Sequence, residues 1–156
     1  MPRPAQVIRP PIEPGRRVVA VSDIHGNLPF LKALLEQVQF TPADVLIIVG
    51  DLLEKGYQSL DTLRHVMELR KTHTVYTLCG NCDYIDRMFL EGRPIETAAF
   101  SQRSNSLLGA ADAGVDQELW PVLECWGGRS VLIQMGAEAG LPMPRGPEDL
   151  PALREL

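Results

Sequence analysis

Asp23, His25, Asp51 and Asn81 are residue types that bind divalent metal ions, and they fall in three short runs of similar texture. The runs are Ser22-Asp23-Ile24-His25-Gly26-Asn27, Gly50-Asp51-Leu52-Leu53-Glu54-Lys55-Gly56 and Gly80-Asn81-Cys82-Asp83. Ions that activate water prefer carboxylate, imidazole and amide oxygen ligands on a rigid frame. In Asp23-Ile24-His25 the two liganding side chains are two residues apart, so an extended backbone points both the same way. Asp51 has two oxygens and can bridge two ions, and Asn81 offers an amide oxygen to the second. Two such ions about 3.5–4 Å apart hold a hydroxide and clamp phosphate oxygens during in-line displacement. Gly26, Gly50 and Gly80 flank the ligands, where the chain turns sharply and lets substrate approach the backbone.

Each run follows an apolar stretch: Val18-Val19-Ala20-Val21, Val45-Leu46-Ile47-Ile48-Val49 and Val75-Tyr76-Thr77-Leu78-Cys79. Continuous runs without alternation suit parallel strands buried on both faces. Ligands of such sheets gather outside the carboxyl ends of the strands, so the four residues are expected at one sheet edge. Between the strands lie helical patterns. Pro29 suits a first helical turn, and Phe30, Leu31, Leu34, Leu35 and Val38 form an apolar stripe. Thr41-Pro42-Ala43-Asp44 breaks that helix. Ser59 is expected to be the N-cap of a second, carrying Leu60, Leu63, Val66 and Met67. Cys79 is expected to end the third strand packed inside, and Asp83 to cap a short helix running to about Leu90. The order β-α-β-α-β-α implies right-handed crossovers and a parallel sheet.

The 156 residues suit one compact domain, with 45 % apolar and 22 % charged residues. Residues 1–15 form a proline-rich arm, 16–92 the α/β core, and 93–156 a helical segment, a cap or a continuation of the core. In that last part Gly109, Gly114, Gly127-Gly128 and Gly140 punctuate short helices, and Gly140 looks like the residue that ends one. Residues 129–134 suit either a strand or a buried helical turn, and a last short helix is expected from Glu148 to Glu155. A net charge of −5 argues against nucleic acid as a partner. No apolar run approaches the roughly 20 residues that span a bilayer. The N-terminus has no signal-peptide core, so a cytoplasmic protein without membrane partners is expected. Three cysteines make no disulfide framework.

The three runs match D-x-H, G-D-x-x-[DE] and G-N-[HC]-[DE], in that order and roughly 28–30 residues apart, as two βα units require. In this the chain resembles the calcineurin-like metallophosphoesterase superfamily. The resemblance implies a layered sheet with flanking helices and two divalent ions (manganese, iron, zinc or magnesium). It also implies hydrolysis of a phosphate monoester through a metal-bridging hydroxide. Gly50 to Ser59 is similar to the G-D-x-x-D-R-G-x-x-S run of bacterial serine/threonine phosphoprotein phosphatases, which points to a phosphoprotein substrate. Glu54 and Lys55 then stand for the Asp-Arg pair, with Lys55 contacting phosphate as a point charge without the bidentate geometry of arginine. Cys82 takes the place of the proton-donating histidine, and a poorer acid there suits either substrates with good leaving groups or protonation from elsewhere. Cys82 and Asp83 are expected beside the leaving group. The family also supplies later histidines, including a Gly-His-x-His pair, whereas this chain has only His25, His65 and His73. The motifs therefore cover the N-terminal half of such an enzyme, with an incomplete metal shell.

Two other readings compete. A catalytically weak fragment or binding module would keep the fold and part of the metal site. Cys79-Gly80-Asn81-Cys82 is also a C-x-x-C between strand and helix, the place of a thiol-disulfide oxidoreductase motif. His65 and His73 are expected to be ordinary helix histidines. Trp120 and Trp126, which flank Cys125, are expected to pack helices.

Overall fold

Three parallel strands, β1 (Val18–Val21), β2 (Val45–Val49) and β3 (Thr74–Leu78), form one sheet in the order β1-β2-β3. The computed structural model describes residues 9–92, 120, 123–125 and 127–156. Val19, Leu46 and Val75 are paired across the sheet, as are Ala20, Ile47 and Tyr76. Arg17 grips both oxygens of Asp44 at 2.8 Å, closing β1 on β2 at the end away from the metal-ligand candidates. Helices α1 (Leu28–Gln37) and α2 (Ser59–Leu69) form the two crossovers. Successive right-handed crossovers that step in one direction put both helices on the same face.

That geometry explains a departure from the expected burial. Leu46, Ile48 and Val75 point to the helices and are buried with Ile24, Leu31, Leu35, Leu52 and Val66. The opposite face carries Val18, Val49 and Leu78, which are 45 %, 48 % and 52 % exposed. So, apart from Val45, which is buried, the second face is largely open among the described residues. The helix stripes are likewise narrower than expected. Leu31 and Leu35 are buried in α1 while Phe30 is exposed, and in α2 Met67 is exposed while Ser59 and Thr62 are buried.

Helix α3 (Asn81–Leu90) follows β3 directly. Its N-cap is Gly80; Asp83 sits one turn in and accepts from the Gly80 N–H at 2.9 Å. Cys79 lies beyond the end of β3, the edge strand of the sheet among the described residues, and is exposed, not packed inside. A second apolar cluster joins Ile85, Met88 and Phe89 of α3 to Leu60, Leu123, Val131, Leu132, Leu150 and Leu153. Trp120 packs against it, while Trp126 lies outside the described residues.

Residues 129–134 resolve as the start of a helix, α4 (Val131–Glu138), after a 3-10 turn at Gly127–Arg129. The Ser130 hydroxyl accepts from the Leu132 N–H at 3.2 Å and caps it. Gly140 (φ +80°) ends α4 as expected: its N–H reaches Ala137 O and the Leu141 N–H reaches Gly136 O. A 3-10 turn at Pro147–Asp149 leads into α5 (Leu150–Arg154), within the span expected for a last helix. Gly109 and Gly114, with the proposed boundary near residue 92, fall at or within residues 93–119, outside the described residues. No helix among the described residues is long and apolar enough to cross a membrane.

Candidate metal centre

The loops after β1 and β2 continue the strand ladder beyond the sheet. Asp23 N–H donates to Gly50 O at 3.2 Å, His25 N–H to Asp51 O at 3.0 Å and Gly26 N–H to Leu52 O at 3.0 Å. These bonds hold a backbone that isolated residues avoid. Asp23, His25, Asp51, Glu54 and Lys55 all have φ between +49° and +68°. Left-handed residues other than glycine cost on the order of 1 kcal/mol or more each, and they cluster where the surroundings over-determine a site. Gly80 is required for a different reason. A Cβ there would collide with the Asp51 carboxylate and backbone nitrogen, so only glycine lets the third loop close on the second.

The side chains converge accordingly. His25 Nδ1 lies 3.2 Å from Leu53 O. A carbonyl can only accept, so Nδ1 carries the proton and Nε2 turns its lone pair toward the loop edge. From Nε2, Asp51 Oδ2 is 3.7 Å away, Asp23 Oδ1 3.8 Å and Lys55 Nζ 3.1 Å. Asp51 Oδ1 accepts from the Cys82 N–H at 3.1 Å, which fixes its carboxylate. The Asn81 amide is satisfied with its nitrogen donating to Asp51 Oδ2 at 3.2 Å and its oxygen facing the Cys82 N–H at 3.3 Å. All four metal-ligand candidates, with Lys55 and Cys82, thus meet at one edge of the sheet. Two carboxylates, an imidazole lone pair and an amide fit a divalent ion in charge and in donor type.

Asp83 has another use in this geometry. Its carboxylate accepts from Leu53 N–H at 3.1 Å, Leu52 N–H at 3.4 Å and Gly80 N–H at 2.9 Å, and so locks the second loop to the third. Cys82 is 2 % exposed, and burial, followed by the charge of Asp51, pushes its thiol up to about 12. Cys79 is shifted upward too, by loss of solvent and by nearby Asp83. A reactive C-x-x-C thiol needs the opposite shift, so the oxidoreductase reading has no electrostatic support. His65 and His73 line a separate groove of about 430 Å³ with Lys32, Leu35, Glu36, Gln39, Phe40 and Leu69.

Sequence patterns did not single out Asp86. It lies 4 % exposed beside Glu54, which is 0 % exposed. Glu54 Oε1 accepts from Val131 N–H at 2.7 Å and from Ser130 Oγ, but its Oε2 and both Asp86 oxygens have no donor partner. Two such acceptors side by side are satisfied when one carboxyl keeps its proton and donates it to the other. Burial is the largest cause in both: it raises Glu54 to about 7 and Asp86 well above the usual carboxylate range. A signal existed, because Asp86 shares the apolar stripe of α3 with Cys82, Ile85 and Phe89.

A sequence model of the family described as calcineurin-like phosphoesterase matches residues 16–153, continuing past the last motif and through α4. Several similar curated proteins are named symmetrical bis(5'-nucleosyl)-tetraphosphatase. The one from Ectopseudomonas mendocina (strain ymp) is 51 % identical over 67 residues, 42 % of this chain and 24 % of that protein. The one from Pseudomonas putida (strain W619) is 38 % identical over 95 residues, 60 % of this chain and 32 % of that protein. The one from Thioalkalivibrio sulfidiphilus (strain HL-EbGR7) is 48 % identical over 67 residues, 42 % and 24 % respectively. The chain thus spans between 24 % and 32 % of the length of these relatives.

Proposed function

We propose that this chain, which belongs to the calcineurin-like phosphoesterase family, is the metal-binding part of a hydrolase acting on a nucleotide polyphosphate. The observation that carries this reading is the convergence of Asp23 and Asp51 on His25 Nε2, at 3.8 and 3.7 Å, with the Nδ1 proton tied to Leu53 O. Asp23, His25, Asp51 and Asn81 would hold divalent ions, manganese among the candidates. Such ions, when bound, supply Lewis acidity toward phosphoryl oxygens and toward water.

The chain's own residues supply the rest. Asp51 is oriented by the Cys82 N–H and His25 by Leu53 O, so neither ligand has to be ordered on binding. Lys55, exposed at the loop edge, brings a point charge to a phosphoryl oxygen. Cys82, with its thiol near 12, is a weak proton donor at neutral pH. That favours a leaving group needing no proton. The phosphate of an anhydride is one, and the alkoxide of phosphoserine is not. The exposed ring of Phe30 (75 % exposed) lines a groove with Asp23, where a nucleobase can stack. These points, with the names of the relatives, support a nucleotide substrate over a phosphoprotein.

Calorimetric titration with Mn²⁺ tests the site, and hydrolysis of a dinucleoside tetraphosphate against a phosphopeptide tests the substrate. Wild type should bind the ion and Asp51→Asn should lose at least tenfold in affinity, since even residues behind the ligands cost that much. Equal binding by both proteins removes Asp51 from the site. Turnover by the chain alone should be slight, because His25 is its one imidazole at this edge, and should favour the tetraphosphate. A preference for the phosphopeptide overturns the nucleotide reading.

A further inference from the structure

We propose that Cys82 Sγ is a metal ligand, binding a thiophilic divalent ion such as Zn²⁺ together with His25 Nε2 and a carboxylate oxygen of Asp51. The proposal rests on the metal-binding reading above and deepens it by adding a sulfur to the donor set.

The geometry supports one ion touching all three. One donor atom each from His25, Asp51 and Cys82 lie within 4.8 Å of one another. Tetrahedral zinc has bonds of about 2.0–2.3 Å, which puts its ligands about 3.3–3.8 Å apart. The cluster is thus within about an ångström of closing on an ion, before any side chain changes rotamer. Cys82 is 2 % exposed and His25 is tied at Nδ1, so the donors are held in place rather than mobile.

A cationic group already sits on this cluster. Lys55 Nζ donates to His25 Nε2 at 3.1 Å and also reaches the Cys82 side chain. The His25 lone pair thus already receives a cationic group at this edge. Lys55 is exposed, so its side chain can leave toward solvent when an ion takes that position.

Binding breaks the S–H bond and forms a sulfur–metal bond, and the proton passes to solvent. The chemical consequence is selectivity. Carboxylate, imidazole and amide oxygens suit manganese, iron, magnesium and zinc alike, whereas a thiolate shifts the preference toward zinc and cobalt. A ligated sulfur has no proton to donate, which removes Cys82 from acid catalysis in this state.

Co²⁺ titration of the full chain decides the matter through the near-ultraviolet band of thiolate-to-cobalt charge transfer. Because Cys82 is buried, the decisive protein is the Cys79→Ser/Cys125→Ser double variant. Both of those cysteines are exposed, and Cys82 is then the sole thiol. The band should appear in that variant at one equivalent of Co²⁺ and vanish in Cys82→Ser. Zn²⁺ affinity should fall roughly tenfold or more in Cys82→Ser, with Mn²⁺ affinity changing far less. Calorimetric Co²⁺ binding without the band would overturn the sulfur ligand and leave the metal-binding reading intact. A band that survives in Cys82→Ser would overturn it as well. Absence of binding for Co²⁺, Zn²⁺ and Mn²⁺ alike would overturn both.

Discussion

Glu54 shows how a residue's job follows from its surroundings. In the sequence it stands where the phosphoprotein phosphatases carry the aspartate of an Asp-Arg pair. In the fold it turns inward, accepts from the Val131 N–H, and shares a buried space with Asp86. Both carboxyls titrate above their ordinary values, so the folded state holds more protons than the unfolded chain between those limits. The stability that Glu54 contributes is complete below the ordinary glutamate value of 4.5 and is lost as pH rises through about 7. The melting temperature of the metal-free protein should therefore fall between pH 5 and pH 8. Asp86→Asn removes one charge and gives Glu54 Oε2 a donor, so it should flatten that decline and stabilise the protein at pH 8 by on the order of 1–2 kcal/mol. Parallel melting curves for the two proteins across this range would show that the pair does not titrate there.

At the scale of elements, the loop after β2, which carries Asp51, is joined to α4 through Ser59. The sequence marks this serine as an N-cap, but α2 begins at it, with Gln58 in the cap position. Freed from capping, the hydroxyl accepts from Glu54 N–H at 3.1 Å and faces Gly56 O and Arg129 O, both at 3.0 Å. Gln134 adds a second tie by accepting from Leu60 N–H at 2.9 Å. Ser59→Ala would leave the Glu54 N–H buried without its acceptor. It should destabilise the chain by about 1–3 kcal/mol in chemical denaturation. Mn²⁺ affinity should fall with it, because the loop that carries Glu54 also carries Asp51. Retention of full stability would mean that another acceptor takes over the Glu54 N–H.

For the whole molecule the deciding feature is the unequal cover of the two sheet faces among the described residues. Leu46 is 0 % exposed on the helix face, whereas Leu78 is 52 % exposed on the other. Leu46→Ala should cost about 2–5 kcal/mol, the usual range for opening a cavity in a packed core. Leu78→Lys should cost less than about 0.5 kcal/mol, as at other open surface positions. A large penalty for Leu78→Lys in the isolated chain would show that something covers that face in solution.

Much of this protein follows from its sequence alone. Uninterrupted runs such as Val45–Val49, each followed by a polar turn that carries a metal-ligand candidate, specify parallel strands and place Asp23, His25, Asp51 and Asn81 at one edge. The reason is local: strand propensity, turn chemistry and topological handedness act over a few residues or one crossover. Gly140 ended its helix for the same reason. The nature of residues 129–134, the inward turn of Glu54 and its pairing with Asp86 were decided only by tertiary structure. Each depends on what lies opposite in space: a helix N-terminus for Glu54, a second carboxyl for Asp86, and for Val49 and Leu78 a sheet face left exposed among the described residues. Burial of both sheet faces is written in the apolar strands, yet a strand's composition cannot say which neighbour arrives to cover it.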